Sequence, residues 1–230
     1  MGQTIESSGY FAFSICALAY ISGCLINRRI KTVLLNPMLI SVAIVGAILF
    51  LLNVDYDTFN DGAKYLNWFM TPATVCFALP LYEQLQTLKS CHKAVILGIG
   101  AGVLTSIGSI IIISIFLHMS HTQTYTLLPK SVTTAIGMEI SRETGGNPSI
   151  TAAVIVITGI FGNIFAKFFL KVFEVKNRVA KGVAIGTAAH VMGTAKAMEI
   201  GDVEGAMSSL SIVIAGIMTV ISIDIISLFI

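Results

Sequence analysis

Apolar residues run through this chain in long blocks separated by short polar stretches. A helix that crosses a bilayer needs about 20 mostly apolar residues, with a range of about 17 to 25. Six blocks meet that length: residues 10–26, 33–52, 66–82, 94–117, 149–170 and 207–230. Two further stretches, 127–140 and 183–198, are short and rich in Gly, Ser and Thr, and they carry Lys130, Glu139, His190 and Lys196. They predict elements that enter the membrane without simply crossing it. Pro72 and Pro80 predict kinks in the third block.

The charges that remain lie between the blocks and orient them, because cytoplasmic loops are enriched in Lys and Arg. Three loops are basic: one with Arg28, Arg29 and Lys31, one with Lys89 and Lys93, and one with Lys171, Lys176, Arg178 and Lys181. The loop at 53–65 sets Asp55, Asp57 and Asp61 against Lys64, and 118–126 has no Lys or Arg. The alternation places both termini outside. Parity then requires an odd number of crossings between the outer loop at His118 and the inner loop at Lys171, so one of the two candidates there does not cross. The shorter, 127–140, is the re-entrant or broken one, and 183–198 dips in from the inside and returns.

The two short stretches resemble each other. Residues 134–140 (TAIGMEI) and 194–200 (TAKAMEI) share the pattern TAxxMEI, and 155–160 echoes 212–217 downstream. Each unit is a short polar element followed by a full span, entered from opposite faces, which is the inverted-repeat plan of many secondary transporters. A chance likeness in an Ile- and Ala-rich chain is the alternative. The expected fold is therefore an all-α integral membrane protein of about six transmembrane helices plus two broken or re-entrant elements. It forms a single membrane domain over 1–230, with four spans in 1–126 and the two repeated units in 127–230.

Composition sharpens this picture. Hydrophobic residues make up 55% of the 230 and charged residues 11%, against about 25% charged in soluble domains, so lipid rather than water must cover most of the surface. A net charge of +2, with the basic residues scattered, excludes a nucleic-acid partner. Cys16, Cys24, Cys76 and Cys91 have neither CxxC spacing nor nearby histidine pairs, and indicate no disulfide framework, metal site or other cofactor. No removable signal peptide or lipid anchor is indicated either. Motifs of hydrolases, zinc proteases and nucleotide-binding enzymes are missing, and no catalytic residues are assigned.

Irregular backbone at membrane depth survives only where protein or a water-filled cavity satisfies its polar groups. Pro129 can open a helix whose first turn, with Ser131, Thr133 and Thr134, offers donors to an anion while Lys130 adds charge. The alternative has Lys130 snorkelling to the outer interface and the hydroxyls bonding carbonyls. In the second stretch Thr187, His190 and Thr194 share a helical face, with Gly186 and Gly193 allowing close approach. His190 is a candidate proton carrier or a structural histidine. Lys196 needs a counter-charge, either Glu199 or a ligand carboxylate. Asn147 and Pro148 read as the N-cap and first residue of a helix, offering a further helix N-terminus to an anion or serving as a plain turn. The expected site holds a small carboxylate between Lys130 and Lys196, with Ser131, Thr133, Thr134, Asn147, His190, Gly193 and Thr194.

Several runs resemble the LrgB/CidB family over nearly the whole chain: LPLYEQ at 79–84, LPKSVTT at 128–134, His190 with GTAK at 193–196, and EGA at 204–206. Ala135 departs from the proline expected there. The resemblance implies a bacterial plasma (inner) membrane protein acting with a small holin-like partner of the LrgA/CidA type, an antiholin-like role in murein hydrolase regulation and lysis, and transport of short monocarboxylates of the pyruvate, glycolate and lactate class. The polar cavity, the cationic groups and the repeat favour transport. A homo-oligomer is also compatible with such a protein.

Overall fold

The computed structural model describes residues 9–29, 37–76, 78–83 and 85–227, and every regular element among them is an α-helix. The chain divides into two compact units, residues 1–76 and 77–230.

In the first unit, helix α1 (Gly9–Arg29) packs against α2 (Pro37–Leu51) and α3 (Tyr56–Cys76). Its small residues Ala12, Ala19 and Gly23 recur every turn or two and form the buried face, while Tyr10, Phe13, Leu18, Tyr20, Ile21 and Leu25 stay exposed. Small residues inward and large apolar residues outward is the pattern of helices packed within lipid. The second expected span corresponds to the 15 residues of α2, residues 33–36 lying outside the described residues. The third falls partly on α3, which carries Asp57, Asp61 and Lys64 and keeps Pro72 inside it, and partly on α4 (Ala78–Glu83) of the second unit.

The second unit is built around α5 (Leu85–Phe116), which departs from helical geometry at Cys91. Val95, Ile99, Val103, Ile107 and Ile110 form its buried stripe against Tyr125, Leu128, Met207 and Ala215. Leu97, Leu104, Ile112 and Ile115 on its other side are exposed. Four helical segments among the described residues are long and apolar enough to cross a membrane: Gly9–Arg29, Lys89–Phe116, Pro148–Val172 and Asp202–Ser227.

Between the apolar helices the chain makes two helical hairpins. In the first, α6 (His121–Leu127) starts from a capping box of Ser120 and Gln123. Residues 128–133 turn, and α7 (Thr134–Glu143) runs back. The reversal is fixed at its base, where Asn147 N donates to Thr126 Oγ1 over 2.8 Å and Thr151 Oγ1 donates to the Thr126 carbonyl over 2.9 Å. Pro129 does not open a helix, contrary to the expectation from sequence. It sits in the turn just past the end of α6, where its missing N–H and fixed φ stop a helix.

Helix α8 (Pro148–Val172) follows, with Pro148 at its first position and Asn147 capping it through Ser149 N and Ile150 N. The second hairpin is α9 (Arg178–Ile200), which breaks at His190 (φ 43°, ψ −137°). A straight helix of 23 residues would separate its ends by about 35 Å. Instead, a β-carbon at Gly201 would lie 2.8 Å from Arg178 Nη2, and Gly182 and Met198 both lie against the start of α10 (Asp202–Ser227). The chain therefore reverses at His190, as expected for a stretch that dips in and returns. Lys130 in the first turn and His190 in the second each stand four residues ahead of the Thr of TAxxMEI.

The two hairpins start from opposite ends of α8, and both reach Ile155. His190 Nε2 lies 3.1 Å from the Ile155 carbonyl oxygen, and a β-carbon at Gly137 would lie 2.3 Å from Ile155 Cδ1. Close approach is enforced by two glycines without side chains: a β-carbon at Gly162 of α8 would sit 2.1 Å from Ala189 Cβ, and one at Gly186 would sit 2.3 Å from the Ser208 carbonyl.

Candidate functional site

A cavity of about 850 Å³ lies between α5, the turn of the first hairpin and the first arm of the second. It follows α5 from Cys91 to Ser109, about 27 Å of helix axis. Asn177, Val179 and Ala180, at the base of the second hairpin, line it together with Cys91 and Ala94 of α5. Ala94, Val95, Gly98, Val183 and Ala184 give it largely apolar walls, and the hydroxyls of Thr105, Ser106, Ser109 and Ser131 are its polar features beside Lys130.

Lys130 is half-buried in the turn, where its backbone N–H donates to the Leu127 carbonyl over 3.2 Å. Its ammonium donates to Ser106 Oγ over 3.0 Å and to Ser131 Oγ over 3.3 Å, and these two hydroxyl oxygens are themselves 3.0 Å apart. Ser109 Oγ donates to the Ser106 carbonyl over 2.7 Å. A lysine ammonium has three N–H donors and each serine one O–H. Two N–H groups are used on the serines, and one serine proton is used on the other serine. One N–H and one O–H remain unused in a cluster whose three residues line the cavity, which is a donor set for a single anionic group.

Lys130 differs from Arg142, Arg178 and Lys196 of this unit, whose charges are met by carboxylates. Glu139 pairs with Arg142, Glu199 with Lys196, and Glu204 with Arg178. No carboxylate among the described residues pairs with Lys130. A cation held in a mainly apolar cavity without a counter-charge attracts an anion.

The other residues expected at the site lie elsewhere. Lys196 does not line the cavity; its ammonium donates to Glu199 Oε2 over 2.6 Å, so the counter-charge comes from the protein three residues along the same helix. The expectation that Lys130 and Lys196 flank one anion is not met. Asn147 is at the base of the first hairpin, its side-chain oxygen occupied by the α8 cap. Thr133 is the N-cap residue of α7 without a side-chain cap, and Thr134 is its first residue. Thr194 is fully buried and fully partnered: its hydroxyl donates to the His190 carbonyl over 3.0 Å, and Ser208 Oγ, 2.7 Å away, must donate to it. Gly193 packs on Ala189 and Ile185. His190 is buried at the tip of the second hairpin.

The structure thus brings Lys130 and Ser131 together and adds Ser106, Ser109, Thr105 and Thr187. The residues of α5 carried a signal of their own. Gly98, Gly102, Ser106 and Ser109 recur every three or four positions in an otherwise apolar segment, and such a stripe of small and hydroxyl residues marks the side of a membrane helix that meets protein or water.

Residues 16–229 match the family model described as the LrgB-like family. The Bacillus subtilis (strain 168) protein YwbG is 35% identical over 211 residues, covering 92% of this chain and 94% of its own length. The antiholin-like protein LrgB of Bacillus cereus (strain B4264) is 35% identical over 214 residues, covering 92% of this chain and 93% of its own length, and the antiholin-like protein LrgB of Bacillus mycoides (strain KBAB4) matches with the same figures. No solved structure matches.

Proposed function

The chain belongs to the LrgB-like family, and we propose that it is a secondary transporter of short monocarboxylates whose anion site is the Lys130, Ser106 and Ser131 cluster. The observation that carries this reading is the unpaired ammonium of Lys130 in a cavity large enough for a small organic acid. One N–H and one O–H fit the two oxygens of a single carboxylate, and the mainly apolar walls suit a short carbon chain rather than a second charge. Two hairpins that start from opposite ends of α8 and approach each other along it support an inverted-repeat plan, in which one hairpin moves against the other to expose the site to each side in turn.

The membrane is the plasma membrane in this reading, with both termini outside and the residues near Arg28, Lys89 and Arg178 inside, following the distribution of Lys and Arg. A small LrgA/CidA-like membrane protein is the proposed partner. The names of the Bacillus relatives favour a second reading, an antiholin-like regulator that acts by binding a holin-like protein. That role gives no reason for a half-buried, cavity-lining lysine without a carboxylate partner.

Purified chain in liposomes separates the two readings. Saturable uptake of labelled pyruvate, glycolate or lactate, measured with and without a pH gradient, supports transport. Uptake no faster than in protein-free liposomes for all three acids, together with co-purification of a small holin-like membrane protein, supports the regulator.

A further inference from the structure

The cavity is far larger than the group its lysine cluster holds. At about 850 Å³ it lies in the upper range of pockets that take drug-sized ligands, whereas Lys130, Ser106 and Ser131 account for a single carboxylate near one end of it.

Behind that end the wall is made of small apolar groups. From Gly102 back to Ala94, about 12 Å of α5, the lining residues of that helix carry no polar side-chain atom. Val183, Ala184 and Ala188 line the cavity from the first arm of α9, and a β-carbon at Gly98 would lie 3.6 Å from Val183 Cγ1. Thr187 contributes only its methyl, 2.8 Å from where a β-carbon at Gly102 would sit, because its hydroxyl oxygen is sealed in the protein. Ala94, Gly98, Ala184 and Ala188 are exposed, so a ligand can reach this wall.

A cation with unused donors at one end and an apolar run behind it is the complement of an amphipathic anion. An extended chain advances about 1.2 Å per bond, so an acid of three carbons fills only the end beside Lys130. We propose that the cavity also binds straight-chain alkyl carboxylates of about six to eight carbons, with the carboxylate on the Lys130 cluster and the tail along α5 toward Ala94. The inference rests on the reading of that cluster as a carboxylate site. Each methylene laid on the wall leaves water and strengthens binding, whereas a second charge at the tail end finds no partner there.

Competition with labelled pyruvate tests it, using full-length chain in liposomes and subtracting protein-free uptake. From propionate through butyrate and hexanoate to octanoate, the half-inhibition concentration should fall about twofold to fourfold per methylene. Octanol, which has the tail without the carboxylate, and octanedioate, which adds a charge at its end, should inhibit about tenfold more weakly than octanoate or less still. Ala188→Leu should flatten the series beyond butyrate and Ala184→Leu beyond hexanoate, each judged against the same variant's own propionate value, since the new side chains fill the wall about one and two turns from the cluster. A flat series in the parent, as a wall already filled by a bilayer lipid chain would give, overturns the proposal. So does inhibition by octanol equal to that by octanoate, or a series equally steep in both leucine variants; the octanol and octanedioate comparisons need the parent alone. Absence of saturable uptake of pyruvate, glycolate and lactate removes the carboxylate reading itself, and this inference with it.

Discussion

His190 Nε2 lies 3.1 Å from the main-chain carbonyl oxygen of Ile155, and because a carbonyl only accepts, that ring nitrogen carries the proton. The bond ties the reversal point of the second hairpin to the N-terminal third of α8. The backbone at His190 is strained, with φ 43° and ψ −137° in a residue that has a side chain. Position 190 therefore reverses the usual order of helix propensities, in which alanine exceeds glycine by about 1 kcal/mol. His190→Ala should lower stability by about 1 to 3 kcal/mol through loss of the bond and of the ring, and His190→Gly should be the more stable of the two variants. Thermal unfolding in detergent checks the order; Ala above Gly would mean that the chain does not reverse there.

Arg178 and Glu204 close the base of the same hairpin, with guanidinium nitrogens 3.1 to 3.2 Å from the carboxylate oxygens. The pair is asymmetric, the glutamate side chain being 4% exposed and the arginine side chain 59%. Removing the arginine strands a buried carboxylate, while removing the carboxylate leaves the arginine in solvent. Arg178→Gln should therefore depress the melting temperature more than Glu204→Gln. Equal effects would show that the carboxylate is not buried.

Gly162 and Gly108 give a steric contrast on two helices of the second unit. A β-carbon at Gly162 would meet Ala189 Cβ at 2.1 Å, and one at Gly108 would meet nothing within 4 Å. Gly162→Ala should cost about 1 to 3 kcal/mol by forcing α8 and the hairpin apart. Gly108→Ala should be neutral or stabilise by up to about 1 kcal/mol. Comparing the two melting temperatures tests the packing of the second hairpin on α8.

The long elements were legible because hydropathy alone separates a lipid-crossing helix from its surroundings, and the described residues of segments 10–26, 94–117, 149–170 and 207–230 fall on long apolar helices, but for Leu117 just past a helix end; residues 228–230 lie outside the described residues. That 127–140 is an interrupted element was legible in its shortness and its Gly, Ser and Thr, but the place of the break was not, since Pro129 reads as a helix opener and stands in the turn, while the α8 cap was legible through Asn147 and Pro148. The partners of the charges were legible only in part, Glu199 standing as one of two alternatives for Lys196. Lys130 and Lys196 look alike along the chain, and only three-dimensional contacts show that Glu199 answers one while two serines hold the other. Ser106 lies 24 residues from Lys130, and the stripe it shares with Gly98, Gly102 and Ser109 marks a helix face without showing which cation that face meets.

Orientation has its own test. Single cysteines replacing Asp57 and Lys176, in a background freed of the native cysteines, should react with an impermeant thiol reagent from the outside and only after permeabilisation, respectively. The opposite pattern would invert the topology and place the Asn177 end of the cavity outside.

The most direct measurement compares Lys130→Gln with Lys196→Gln in liposomes supplied with labelled pyruvate, glycolate and lactate. Glutamine keeps length and polarity and removes only the charge. Loss of a charge-assisted hydrogen bond is worth about 1.5 to 3 kcal/mol, or about tenfold to a hundredfold in affinity. The expected result is that Lys130→Gln raises the half-saturation concentration by that factor at normal membrane expression, while Lys196→Gln, whose charge is already met by Glu199, transports like the parent. Parent-like uptake of all three acids by Lys130→Gln would contradict the assignment of the anion site to Lys130.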